Sequence, residues 1–389
     1  MSQQTSRLKV LISGICSLIL TVGIARFAYT PMLVVMQSET WLDDVSGGWL
    51  ATYNYIGYFL GALLATTISD LKLKDTIYRI GLILAVITTA AMAFTENMLL
   101  WSVLRFFAGL GSAAGLLIGS GLLLNWLMRH NHRSELGIHF SGLGLGIAIS
   151  TLILHLLENN FNWSEQWFVL SILGLMLFIP AWFWLPRPEQ VSLKTTDKQL
   201  VDSPPSKQFL YLMLAAYFCA GVGYVVSATF IVAIVERQPS LQGQGWLAFF
   251  IVGLAATPAC IIWDRLARKI GTMNSLFIAY CLLTVSIIWP LFQESLFSVL
   301  FCAGLYGATM IGIVSLVLTM AGRFYPTKPA KLMGKLTLSY GLAQIGAPAI
   351  SGMIAQSTGS YNYALIMATL IMVVGTIIIY YLRSFPEQI

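Results

Sequence analysis

Mostly apolar runs of about 20 residues or more recur along this chain roughly every 30 residues, with short polar breaks between them. Each run is long enough for a helix to cross the hydrocarbon of a bilayer, and a chain that must place many of them in lipid has few folds open to it. Backbone polar groups find no water there, so they must be satisfied inside each span, as an α-helix does. We read twelve spans, over 10–36, 46–69, 76–94, 98–128, 134–157, 164–185, 208–235, 241–263, 272–292, 295–321, 331–355 and 360–382. Composition fits: 57% of the 389 residues are hydrophobic and only 10% are charged, against about 25% in soluble domains. The fold class expected is an all-α integral membrane protein with twelve transmembrane helices.

Charge orients the spans. Of the 22 Lys and Arg, nineteen fall on the side that carries the N-terminus, among them Arg7, Lys72, Arg129, Arg265 and Lys335. One, Arg237, falls in a break on the other side. The positive side faces the cytoplasm, which puts both termini there. The formal charge of +6 is then a topology signal and needs no nucleic-acid partner. All eleven tryptophans fall at or just beyond a proposed span end, as an interfacial belt requires. The first apolar run exceeds the core of a signal peptide and is kept as a helix. Five cysteines lie inside spans without CxxC spacing and read as small buried hydrophobes.

Pro186, Pro188, Pro204 and Pro205 punctuate the longest polar break. The organisation expected is a six-helix bundle over 1–185, a cytoplasmic linker over 186–207 and a second six-helix bundle over 208–389. Two pseudo-symmetric halves of this kind place a solute site between them near the bilayer midplane.

Two charges stand inside the spans. Arg26 lies about ten residues from the outer end of the first span, about 15 Å at the rise of a helix, too deep to snorkel with ease. A charge at that depth faces protein or water and marks either a substrate contact or a structural bond to carbonyls. Gly23, Tyr29 and Thr30 fall at helical spacings that share its side. Arg105 lies about seven residues into the fourth span, above Gly109 and Ser112, and suits packing as well as function. Every acid, Asp44, Glu165 and Glu236 among them, is read in a break or at a span end. Two guanidiniums without a carboxylate favour an anion, since the planar fork of Arg matches carboxylate or phosphate oxygens. His139, early in the fifth span, is the proton-coupling candidate because its ordinary pKa of about 6.5 suits a proton carrier; the alternative is a structural His.

Several motifs carry a resemblance. LRFFAGLGSAAG over 104–115 resembles the fourth-helix Arg motif of the major facilitator superfamily. Asp264, Arg265, Arg268 and Lys269 resemble its cytoplasmic D-R-x-G-R-[RK] loop, with Ala267 in place of the Gly, and the equivalent loop in the first half keeps Asp70, Lys72 and Lys74. VGIARFAYTPML (22–33), YNYIGYFLGALLA (53–65), HFSGLGLGI (139–147), GVGYVVSATF (221–230), GQGWLAFFIVGLAATP (243–258) and GLAQIGAP (341–348) resemble the YbfB/YjiJ group of that superfamily. The resemblance implies a carrier of the bacterial inner membrane whose first, fourth, seventh and tenth helices line a central cavity, which would bring Arg26 and Arg105 together. It also implies a cytoplasmic gate of Asp70, Asp264, Arg265 and Arg268. The Gly-Pro motif common in the fifth helix of the superfamily's antiporters is absent from SGLGLGI.

Tyr224 and Thr229 on the seventh span, Tyr306 on the tenth and Gln344 on the eleventh are polar, uncharged candidates to orient a ligand. Gly341, Gly346 and Pro348 point to a bend in the eleventh span. There is no metal-spaced Cys/His cluster, P-loop or nucleophile–base grouping, which argues against an enzyme or an ATP-driven pump, and no cofactor or metal is expected. The expectation is a secondary or facilitative carrier for a small organic anion, working as a monomer by alternating access, with protons or a counter-solute as possible partners. The alternatives are a proton-coupled exporter of neutral or amphipathic compounds, and a non-transporting receptor or assembly partner on a carrier fold.

Overall fold

A computed structural model describes residues 3–130, 132, 136–188, 202–293, 295–325 and 330–385, the side chains of 3–6 and 330–331 excepted. The linker expected over 186–207 falls mostly outside the described residues. Within them the chain forms twelve helical spans: α1 Arg7–Glu39, α2 Asp44–Thr67, α3 Leu71–Met92, α4 Met98–Arg129, α5 Leu136–Leu157, α6 Trp163–Phe183, α7 Lys207–Glu236, α8 Gly245–Ala256 with Ala259–Ile270, α9 Thr272–Ile288, α10 Leu296–Phe324, α11 Ala330–Thr358 and α12 Asn362–Leu382.

The helix pairings of the first six spans recur six helices later. α2 packs on α4, α3 on α4 and α6, and α1 on α5 and α6; α8 packs on α10, α9 on α10 and α12, and α7 on α11 and α12. Two long contacts join the halves, α2 with α11 and α5 with α8, and they exchange under the same shift. Nine of the helices are long and apolar enough to cross a membrane, ten when the two pieces of α8 count as one span. α2 and α11 fall short because of polar residues such as Thr52, Asn54, Gln344 and Ser351. These are buried against protein, where their polarity costs little lipid contact.

Glycines set how near the helices come. In lipid no hydrophobic force draws helices together, so close packing has to supply the attraction. A side chain on Gly146 would meet the Cα of Gly23 at 2.7 Å, which seats α1 against α5. Across the halves, a methyl on Gly253 would stand 2.8 Å from the Gly144 carbonyl oxygen, so α5 and α8 touch through their backbones.

Two boundaries and one bend differ from the sequence reading. α3 starts at Leu71, capped by the Asp70 carboxylate on the Leu73 N–H at 2.7 Å, and this carries Asp75 and Arg79 into the helix as a buried pair at 3.0 Å. α8 bends by 47° at Thr257–Pro258 and runs on to Ile270, so Asp264, Arg265 and Arg268 ride a helical turn. It stops at Gly271, whose φ of 87° is a left-handed value that a glycine adopts without strain. α11, where a bend was expected, is one helix through Pro348. The bend belongs to α8, where Pro258 removes a backbone donor.

If backbone contact between α5 and α8 is needed, Gly253→Leu destabilises the protein by about 1–3 kcal/mol through overpacking. Gly121→Leu, at a site with nothing within 4 Å, should change stability by under about 0.5 kcal/mol. Thermal unfolding of the two variants in detergent checks the difference.

Candidate functional site

The middle of α1 is wound as a π-helix over Ile19–Phe27, closed by the Ala28 N–H bonding the Gly23 carbonyl at 2.9 Å. The wider turn changes which residues share a face, so the ordinary 3.6-residue spacing fails here. Gly23 faces α5, while Arg26, Tyr29 and Thr30 line one small cavity with Phe27, Asn54, Arg105 and Thr229. That cavity holds about 10 Å³, barely room for one water.

The two arginines meet there in different states. The Arg105 guanidinium donates to the Ala25 carbonyl at 3.0 Å and to the Arg26 carbonyl at 3.4 Å, and lies 4.3 Å from the centre of the Tyr29 ring. Tyr29 is itself fixed by donating to the Gly47 carbonyl at 2.9 Å, and Asn54 donates to the Arg105 carbonyl at 3.0 Å. Arg105 therefore ties α4 to the irregular part of α1, although its Nε is left without a partner. Arg26 is held by ring faces: its guanidinium lies 4.2 Å from the centre of the Tyr58 ring, 4.7 Å from Tyr55 and 5.4 Å from Phe27. Its Nε is buried without a hydrogen-bond partner. Among the described residues no carboxylate pairs with either arginine.

From the last six helices Ala228 and Thr229 of α7 line this cavity, and further polar residues lie behind them. Tyr224 of α7 comes within electrostatic reach of Arg26 and Tyr55, and Tyr340 of α11 stacks on Tyr224 with ring centres 5.8 Å apart. Tyr306 of α10 donates its hydroxyl to the Tyr224 carbonyl. Thr229 and Gln344 are buried, and Thr229 Oγ1 and Gln344 Oε1 lack partners.

At the far end, where α1 finishes and α2 begins, the halves are bonded shut. The Asp44 carboxylate, in the first turn of α2, accepts two bonds from Arg237 of the α7 end at 2.6 and 2.7 Å. It also accepts from the Tyr361 hydroxyl at 2.9 Å and from Gln37 at 2.9 Å. Below it Thr30 donates to the Ala228 carbonyl at 2.6 Å and Thr52 to the Ile345 carbonyl at 2.9 Å. Asp44 is buried despite its loop-side position.

His139 is buried in the first half, its Nε2 2.8 Å from the Ser120 hydroxyl and its Nδ1 against Gly14 without a partner. Gly14 is twelve residues before Arg26, about 18 Å along a helix, so His139 lies outside the central cavity. Asp264 pairs with Arg268 one turn away at 2.7 Å, and Arg265 is exposed.

The six-helix repeat, with a buried guanidinium between the repeats, is an arrangement built for a membrane carrier. A family model, MFS_4, described as uncharacterised MFS-type transporter YbfB, matches residues 18–380. The chain belongs to the MFS_4 family. An uncharacterized MFS-type transporter of Bacillus subtilis (strain 168), YceJ, is 23% identical over 316 residues, covering 76% of this chain and 78% of that protein. The niacin transporter NiaP of Acinetobacter baylyi (strain ATCC 33305 / BD413 / ADP1) is 24% identical over 161 residues, 41% of this chain and 36% of that protein. The crystal structure of the nucleoside transporter NupG superposes with a TM-score of 0.73 at 12% identity, covering 98% of this chain and 99% of that one, a likeness of fold. The family and its neighbours are transporters rather than enzymes.

In this MFS_4 transporter the sequence reading missed Tyr55, Tyr58, Tyr340, Asp44 and Arg237. Tyr55 and Tyr58 had a usable signal, two tyrosines one turn apart in mid-span, where tyrosine seldom sits. Asp44 and Arg237 had none, because only the fold brings two loop-side charges together. If their pair closes the far end, Asp44→Asn should raise the thiol-labelling rate of Ala51→Cys several-fold in a background free of the native cysteines. Arg237→Gln should do the same, and the double variant should be no faster than the faster single one. Equal rates in all variants would remove the pair as a closure.

Proposed function

We propose that this transporter is a secondary carrier for a small organic anion, with Arg26 as the group that takes the anion's charge. One observation carries the reading: Arg26 is a buried guanidinium between the two halves, held by ring faces, with an unpartnered Nε and, among the described residues, no carboxylate paired with it. A substrate carboxylate supplies the missing counter-charge through a charge-assisted pair. Niacin, named as the substrate of one relative, is a carboxylate anion at neutral pH, which supports the same substrate class.

In this reading 1–185 and 208–389 rock about the site as two bundles joined by a cytoplasmic linker, in a bacterial inner membrane with both termini cytoplasmic. Tyr29, Thr30, Thr229, Tyr224, Tyr306 and Gln344 shape the pocket, and Arg105 fixes the backbone that presents Arg26. Asp44 and Arg237 close the outer side. Asp70, Asp264, Arg265 and Arg268 form the cytoplasmic gate when the bundles tilt the other way, and His139 is the candidate proton carrier. The monomer contains every part of this machinery.

The test is ligand stabilisation of purified protein by a panel of mono- and dicarboxylates, phosphorylated metabolites, sugars and lipophilic cations, with hits carried into proteoliposome flux. Arg26→Ala should weaken binding of an anionic hit by about tenfold to a hundredfold, the value of a charged hydrogen bond. Arg105→Lys should lower thermal stability instead, while leaving residual anion binding. Equal stabilisation of wild type and Arg26→Ala by the anion refutes the site.

A further inference from the structure

Tyrosines in membrane helices gather at the interfaces, where ring and hydroxyl find different surroundings. Here they gather in the middle. Tyr55 and Tyr58 on α2, Tyr217 and Tyr224 on α7, Tyr306 on α10 and Tyr340 on α11 are all buried, and across the boundary between the halves Tyr55 lies within electrostatic reach of Tyr224 and Tyr340, and Tyr58 of Tyr217. Their planes are ordered as well. Tyr340 lies against Tyr217 with centres 4.5 Å apart and against Tyr224 at 5.8 Å, both at an interplanar angle of 28°. On the other side of the boundary Tyr55 and Tyr58 present their faces to the Arg26 guanidinium, itself a flat group. An interior meant only to be filled has no need of six hydroxyl-bearing rings, since leucine packs as well and brings no polar atom to satisfy.

Among the described residues at the cavity, the two guanidiniums are not equally available. Arg105 spends its terminal nitrogens on the carbonyls of Ala25 and Arg26 and its face on Tyr29, so a ligand finds one guanidinium. A second negative charge on the ligand would find hydroxyls such as that of Thr229 but, among the described residues, no second guanidinium with free terminal nitrogens.

We infer that the carrier takes a flat, π-conjugated carboxylate bearing one negative charge, its carboxylate on Arg26 and its plane against the tyrosine faces of α2, α7 and α11. This rests on the organic-anion reading and narrows it. Aromatic faces prefer offset or edge contact with another π-system, and a saturated ring of the same size loses that contribution.

Four probes on the purified full chain test it: benzoate, cyclohexanecarboxylate, benzamide and terephthalate, with dissociation constants from titration calorimetry. Benzoate should bind about two- to tenfold tighter than cyclohexanecarboxylate, the value of one or two aromatic contacts. Benzamide should not bind measurably, and terephthalate should bind at least about tenfold more weakly than benzoate. Tyr58→Leu or Tyr340→Leu should bring the benzoate to cyclohexanecarboxylate ratio toward one, and Tyr58→Phe and Tyr340→Phe should keep it, which separates ring-face contact from damage to the fold. If the two acids bind equally to wild type, or if neither leucine variant changes the ratio, this proposal is overturned and the organic-anion reading stands. Terephthalate as tight as benzoate overturns the single-charge claim. If no carboxylate binds, or if benzamide binds as well as benzoate, both readings are overturned together.

Discussion

A guanidinium in the middle of a membrane protein, with no carboxylate among the described residues to neutralise it, is the constraint from which the rest of this structure follows. Left against lipid, Arg26 would cost several kcal/mol, so helices have to enclose it. They do so with ring faces: the positive group lies over Tyr58 and Tyr55, where the negative face of each ring replaces part of its lost hydration. Bringing α2 and α1 into that register depends on the π-wound stretch Ile19–Phe27 and on the contact of Gly23 with Gly146, without which α1 would stand away from α5. The charge, the irregular turn and the small residues are one device.

The two intramembrane arginines show how the same residue type is used in two ways. Arg105 is bonded to main-chain carbonyls of a neighbouring helix, both within its π-wound stretch. Arg26 lines the cavity and lies among the rings of Tyr55, Tyr58 and Phe27. One arginine stiffens the element that presents the other. This accounts for two costly charges in one small region without asking both to hold substrate.

Much of the fold was legible from the sequence because bilayer thickness imposes a length on every span, and apolar runs report it directly. The boundaries of α3 and α8 were not, since their ends carry charges that hydropathy assigns to loops: Asp75 and Arg79 satisfy each other inside α3, and Asp264 and Arg268 do so on α8. The site was legible in part. Arg26 and Arg105 stood out by cost alone, and Tyr29 and Thr30 by nearness to Arg26. Gly23 was placed on the wrong face because a π turn leaves no mark in an apolar sequence. Asp44 with Arg237 was invisible, because two charges 193 positions apart, each at a span end, look individually like solvated loop residues.

The two helices that fail a hydropathy test, α2 and α11, are the ones that pack on each other along the boundary between the halves. That placement has a mechanical consequence. α2 begins with Asp44, bonded to Arg237 and Tyr361 of the other half, and eleven residues on, about 16 Å along the rod, it presents Tyr55 and then Tyr58 to Arg26. α11 runs the other way, with Tyr340 at the level of the cavity and Gly352 against the Asp44 carbonyl. A helix of this length moves as a rigid body, so a tilt that opens the Asp44 end also changes the spacing between the tyrosine faces. A ligand that fills that spacing and neutralises Arg26 alters the free energy of the tilt through its different contacts in the two states, the only way a ligand shifts a conformational equilibrium. In the proposed mechanism gate and site need no separate signal between them, because they are two ends of the same pair of helices.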